Sequence, residues 1–222
     1  EPLDAEKARQ ARLVAISVPM HTALRLGTVT AERVRALNPA VRVGFYGLYA
    51  HLNADYLLSH GADFVIGGEV EEELVRLVQR LERDGGGARK PLEKLDFPVP
   101  SRAALPSLSK YAHLAREGRL ELTGHVESSR GCLHRCRHCP IPPVYGGRFF
   151  VVPRETVLAD IRQQVAAGAT HVTFGDPDFL NGPGHALAIA RALHAEFPEV
   201  TFDFTAKIEH LRTLKRRAEA LS

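Results

Sequence analysis

Short apolar runs alternate with segments of helical period along almost the whole chain, and this alternation restricts the fold more than any other feature. Leu13–Val18, Val41–Phe45 and Asp63–Ile66 read as strands. Thr22–Leu37, Asn53–His60 and Val70–Arg83 read as helices; the first stops before Asn38-Pro39, the second has Gly61 in its C-cap position, and the third gathers Leu74, Leu77, Val78 and Leu81 on one face. A β-α-β-α-β-α order requires a parallel sheet covered by crossover helices. Asp84-Gly85-Gly86-Gly87, followed by Pro91, Pro98, Pro100 and Pro106, breaks the pattern and reads as a surface linker. The alternation then restarts, with strands at Leu122–Ser128, His171–Gly175 and Val200–Thr205 and helices at Arg154–Ala167, Pro183–Phe197 and Glu209–Leu221. Three such units do not close a barrel of six or eight; either the sheet stays open or the rest of the barrel is absent from the chain. The expected fold class is α/β: a parallel, doubly wound sheet over residues 1–83, a linker over 84–110, and the first part of a βα barrel over 111–222.

The candidate chemistry is confined to one loop. The only three cysteines, Cys132, Cys136 and Cys139, fall within Cys-Leu-His-Arg-Cys-Arg-His-Cys, a C-x3-C-x2-C spacing that follows directly on a strand. Sites in parallel α/β sheets gather at the carboxyl ends of strands. Three thiolates can hold three irons of a cubane cluster, and the fourth iron is then open to a ligand. Gly131 permits the turn into the loop; Pro140, Pro142 and Pro143 stiffen its exit. Arg130, Arg135, Arg137 and Arg148 surround it and offset the negative charge of thiolates and sulfides. The rival reading is zinc, with His134 or His138 completing a Cys3His set, although such sites usually draw two ligand couples from separate segments and no second couple is present.

An odd number of cysteines argues against a disulfide framework and for a reducing, cytoplasmic setting. No secretory signal and no apolar run of membrane-spanning length is visible. The net charge of +3 is spread along the chain, so neither a membrane nor a nucleic-acid partner is expected. Because Met20 is the only methionine, residue 1 is not expected to be the natural start.

The cysteine loop after the first strand of a βα barrel resembles the defining motif of the radical S-adenosylmethionine (SAM) superfamily. That resemblance implies a [4Fe–4S] cluster on Cys132, Cys136 and Cys139, with the amino and carboxylate groups of SAM on the open iron. It also implies an external electron donor and a carbon radical that modifies a small molecule. The family usually has an aromatic residue just before the last cysteine, packed near adenine; here it is His138. Gly175-Asp176-Pro177-Asp178-Phe179 lies where the family often carries a Gly-Gly-Glu-like segment, so Asp176 and Asp178 are the expected contacts of the SAM ammonium, with a helix cap or Asx-turn before Pro183 as the alternative. Tyr145 and Arg148 are expected to line the SAM or substrate pocket, or else to brace the loop. Lys207 and Glu209 face the same rim, and His21 follows a strand where ligands gather.

Residues 63–71, Asp-Phe-Val-Ile-Gly-Gly-Glu-Val-Glu, resemble the end of the cobalamin-binding-like domain that precedes many radical SAM barrels. No Asp-x-His-x-x-Gly motif is present, and Tyr46-Gly47-Leu48-Tyr49 stands where a glycine pair usually admits the nucleotide tail, so cobalamin is not expected to bind. Together with the Pro140–Arg148 loop and Gly-Asp-Pro-Asp, these strings resemble the CUAEP/CCAEP-tail radical SAM proteins, which implies the arsinothricin type of chemistry: transfer of a 3-amino-3-carboxypropyl group from SAM to arsenite. A non-catalytic iron–sulfur or zinc protein is the alternative from another class.

Overall fold

The computed structural model describes residues 3–83 and 97–219. They form two compact units, one of residues 3–83 with 136–146 and one of residues 97–135 with 147–219.

In the first unit, β1 (Leu13–Ser17), β2 (Arg42–Tyr46) and β3 (Phe64–Ile66) form a parallel sheet in the order β1-β2-β3. The order contains no reversal, so the doubly wound description is not shown. Around it run α1 (Ala5–Gln10), α2 (His21–Leu37), α3 (Leu48–Leu52), α4 (Ala54–Ser59) and α5 (Glu71–Arg83). β2 is the central strand, and Val43, Gly44 and Phe45 are accordingly buried. Val18, Leu24, Phe45, Ala50 and Leu57 make one apolar cluster; Ala8, Val34, Val41 and Val43 make another. The helix expected over Asn53–His60 is α4, Ala54–Ser59; α3 before it was not expected, and Asn53 stands between the two with its side-chain amide donating to the Tyr49 carbonyl at 2.8 Å. Asp63, expected as the first residue of β3, instead extends the ladder with its side chain: its carboxylate accepts from the Val43 N–H at 2.7 Å and pairs with Arg35 at 2.7 Å.

In the second unit, β4 (His113–Arg116), β5 (Arg119–Val126), β8 (His171–Phe174) and β9 (Thr201–Phe204) lie side by side in that order. β4 is antiparallel to β5; β5, β8 and β9 are parallel. α7 (Arg154–Ala166), α8 (Pro183–Glu196) and α9 (Ile208–Glu219) follow the three parallel strands, the βα succession expected of part of a barrel. The end of the last expected helix, at Leu221, lies outside the described residues, as do residues 84–96 of the expected linker. Residues 97–102 are held against α7: Phe97 and Pro100 offer carbonyls to Thr156 and Gln163, and the Arg102 guanidinium forms a two-pronged pair with Asp160 at 2.6 and 2.7 Å. The core of this unit includes Val126, Ile161, Val172, Phe174, Ile189 and Leu193.

Among the described residues, no strand lies on the outer edge of β5 beyond residue 122. Gln164 takes that place: its side-chain oxygen accepts from the His125 N–H at 2.7 Å, and its nitrogen donates to the His125 carbonyl at 3.1 Å. Arg102 donates to the same carbonyl at 2.9 Å. Gly124 makes room for this, since a Cβ there would meet the Gln164 oxygen at 2.8 Å. Buried backbone groups must be paired, and here side chains supply what the sheet does not.

Candidate functional site

The ends of β5 and β8 set the site in the second unit. Val126 and Phe174 close the two strands, and Ser128 and Asp176 each follow two residues later. Asp176 is 2% exposed, and both its oxygens are engaged: one accepts from the Ser128 N–H at 2.9 Å, the other from the Ser128 hydroxyl at 2.7 Å and from the Ser129 hydroxyl. Hydrogen bonds to a carboxylate are roughly twice as strong as neutral ones. Asp176 therefore pins the two residues at which the chain leaves β5 for the cysteine loop.

From there β6 (Ser129–Gly131) pairs antiparallel with β7 (Phe149–Val151), so a two-stranded ribbon closes the base of the segment that carries the cysteines. Gly131, at φ +73°, makes the turn out of β6. All three cysteines are free thiols; Cys132 is buried and Cys136 and Cys139 are half-buried. Cys132 counts with the second unit, Cys136 and Cys139 with the first. The Cys139 N–H donates to the Cys136 carbonyl at 3.2 Å in a tight turn, and α6 (Ile141–Tyr145) follows, opened by the prolines and ended by Gly146 in the left-handed conformation. A set of three soft sulfur donors, unengaged in disulfides, fits an iron–sulfur cluster or zinc and suits neither magnesium nor calcium.

The other residues singled out from the sequence are dispersed. His138 and Arg148 are exposed. Tyr145 is half-buried, and its hydroxyl donates to Glu69 of the same unit at 3.1 Å. His21 opens α2 and is exposed. Of the arginines expected to surround the loop, Arg130 pairs with Glu127 at 3.0 Å and stacks 5.2 Å over the Phe97 ring, while the Arg135 guanidinium lies beside Gly147.

Asp178 is the centre of a cluster that the sequence did not display as one. Its side chain is 5% exposed. Oδ1 faces three donors: the Leu180 N–H at 3.3 Å, the Lys207 N–H at 3.4 Å and His210 Nδ1 at 3.2 Å. Oδ2 is buried without a hydrogen bond, 3.2 Å from His210 Nδ1 and 3.9 Å from His134 Nε2. The two imidazoles meet at Nε2, 3.1 Å apart. Lys207 Nζ lies 3.4 Å from His134 Nδ1 and 3.2 Å from Glu209, whose carboxyl it holds below the usual range by that hydrogen bond. Lys207 and Glu209 were visible as strand-end residues. His210, one position further on, was legible only as a third polar residue of the same turn.

In the first unit Gly44 within β2, Gly47 just after it and Gly67 just after β3 are covered by the unit's own atoms. The Phe64 ring lies on Gly44, His51 lies on Gly67, and a Cβ on Gly47 would meet the Val18 carbonyl at 3.3 Å.

No family model matches the chain. Among curated proteins it is 24% identical over 168 residues to hopanoid C-2 methylase of Rhodopseudomonas palustris (strain TIE-1), a match over 72% of this chain and 30% of that protein. Among solved structures it is similar to TsrM, a radical SAM methyltransferase from Kitasatospora setae. The form with tryptophan substrate and aza-SAM gives a TM-score of 0.68 at 17% identity, covering 88% of this chain and 43% of that one. The form with cobalamin and a [4Fe–4S] cluster gives 0.61 at 15% identity, covering 85% and 42%. The chain thus spans less than half the length of each. The expectation that cobalamin does not bind draws no support from this neighbour, which binds it. No helix among the described residues is long and apolar enough to cross a membrane. The chain is thus similar in fold to a radical SAM methyltransferase and similar in sequence, at 24% identity, to a curated methylase.

Proposed function

We propose that the chain carries the cluster-binding region of a radical SAM enzyme of the transferase kind. The observation that carries the reading is three free thiols at C-x3-C-x2-C spacing, just beyond the end of a strand in a parallel βα sheet. Cys132, Cys136 and Cys139 would hold the [4Fe–4S] cluster. Once reduced by the external donor, that cluster would supply one electron to SAM, whose sulfonium would part into a thioether and a carbon radical. The protein's own part is to position. Asp176 locks Ser128 and Ser129 at the start of the loop, the β6–β7 ribbon fixes its two ends, and the αL glycine after α6 sends the chain back. His138, Tyr145 and Arg148 remain the SAM contacts that the resemblance implies; of the two aspartates expected with them, Asp176 spends its oxygens on Ser128 and Ser129 and the Asp178 side chain is 5% exposed.

Residues 1–83 are read as a cobalamin-binding-like unit, 84–110 as a linker and 111–222 as the barrel portion. The substrate is a small molecule, the electron donor is external, and the setting is cytoplasmic. Because the relatives are named for methyl transfer, a methyl group is the first candidate for what is moved. Transfer of a 3-amino-3-carboxypropyl group to arsenite finds no support among them. A visible-absorption titration with hydroxocobalamin decides whether the first unit, in which Phe64 lies on Gly44 and His51 on Gly67, binds cobalamin.

The test is anaerobic reconstitution with iron and sulfide, reduction, and addition of SAM. Four irons per chain and release of 5′-deoxyadenosine or 5′-methylthioadenosine are expected, and the product reports which bond breaks. Cys136→Ala should abolish both iron and product. Material that takes up zinc and no iron would replace this reading by the zinc alternative.

A further inference from the structure

We infer that His134, Asp178 and His210 form a second metal site, separate from the three cysteines, for one divalent first-row transition ion such as Zn2+. This goes beyond the cluster reading and does not depend on it. All three residues lie in the second unit, on three different segments: the cysteine loop, the turn after β8 and the first turn of α9.

The argument begins with donor chemistry. Two imidazoles and one carboxylate are the ligand set that Zn2+ and Fe2+ take in three-ligand protein sites with a position left open. Their ligand atoms lie within 4.8 Å of one another. Four-coordinate bonds of the usual length hold neighbouring donors about 3.4 Å apart, so closure requires about 1 Å of side-chain movement. His210 sits in the middle, one ring nitrogen 3.1 Å from His134 and the other 3.2 Å from Asp178.

The second observation is the carboxylate itself. Asp178 is 95% buried on the side chain, Oδ1 faces three donors, and Oδ2 faces the two imidazoles with no hydrogen bond of its own. A buried carboxylate oxygen without a partner is costly, and a cation removes that cost. The backbone N–H groups of Leu180 and Lys207 on Oδ1 are the outer contacts that fix a ligating carboxylate in orientation. The Lys207 ammonium donates to His134 Nδ1, so a metal on Nε2 would move the imidazole proton to Nδ1 and leave Lys207 with its contact to Glu209.

The test separates this site from the cluster. The chain is first loaded anaerobically with iron and sulfide, then dialysed against Zn2+, and both metals are counted by elemental analysis. One zinc per chain in addition to the iron is expected. His134→Ala and His210→Gln should each weaken zinc binding at least about tenfold, the scale on which even outer-shell partners act, with iron unchanged; His210→Gln keeps a donor near Asp178 and guards against simple unfolding. Asp178→Asn should do the same. Zinc absent from the loaded wild type, or bound equally well by His134→Ala and His210→Gln, overturns the assignment. Should the chain take up no iron, Co2+ replaces zinc as probe: a thiolate-to-cobalt charge-transfer band would put the ion on the cysteines and overturn the site, whereas a spectrum of nitrogen and oxygen ligation lost in His210→Gln supports it although the cluster reading has failed.

Discussion

The two units solve the same structural problem with different materials. Each is a small parallel sheet with helices, yet every buried polar or charged side chain among the described residues lies in the second: Ser128, Ser129, Asp160, Gln164, His171, Asp176 and Asp178. The first unit fills its interior with apolar side chains and keeps its polar contacts, such as Asp63 on the Val43 N–H, outside the fully buried core, with the Phe64 ring on the cross-strand Gly44. Apolar packing stabilises without directing any atom; buried polar groups cost stability unless paired and fix geometry when they are. The difference teaches that the first unit is organised as a scaffold and the second as a place where side chains must hold set positions.

The largest break in that contrast is expected at Asp176. Asp176→Ala leaves the Ser128 N–H and two hydroxyls without their acceptor and should lower stability by about 3 kcal/mol, read from the denaturant midpoint. It should also reduce iron uptake, because the start of the cysteine loop is released. Gln164→Leu is next, at about 2 kcal/mol, with faster hydrogen exchange at the His125 amide as its local signature.

The sharpening experiment on the apolar side is Gly44→Ala. A methyl group there runs into the Phe64 ring, and overpacking of this kind costs about 1–3 kcal/mol. Combined with Phe64→Leu the two costs should not add, since the register places these residues opposite each other. The smallest effect belongs to the Arg162–Glu196 pair on the surface of the second unit, joined at 2.6 and 2.7 Å. The Arg162 hydrogen bond holds the Glu196 carboxyl below its usual range. The sign follows: its contribution is present above the ordinary glutamate pKa and fades as the pH falls through the lowered value. Glu196→Gln should flatten that acid-side slope in thermal melts and change little at neutral pH.

Much of the fold was legible because apolar period and helix stops act locally. β1 begins at Leu13, α2 ends at Leu37 before Asn38-Pro39, and α8 begins at Pro183, all as expected. The departures come from interactions that single positions do not advertise. The β4–β5 hairpin turns at Glu117-Gly118 with φ of +51° and +75°, a two-residue turn that normally signals itself with Asn-Gly or Asp-Gly. The β6–β7 ribbon is a pairing of two three-residue strands across the whole cysteine loop, too short and too distant for period to reveal. Of the site, the thiols were plain from spacing. The partners of Asp176 and Asp178 lie 48 and 32 residues away and become visible only when the strands align.

Gln164 carries a consequence of its own. One amide group, with Arg102 beside it, does for β5 what a neighbouring strand would otherwise do, so side chains seal an edge that could recruit a foreign chain by backbone pairing. Replacing it by an apolar residue exposes a ready template for sheet addition, and the same molecule would then be prone to self-association through the flank of its barrel strand.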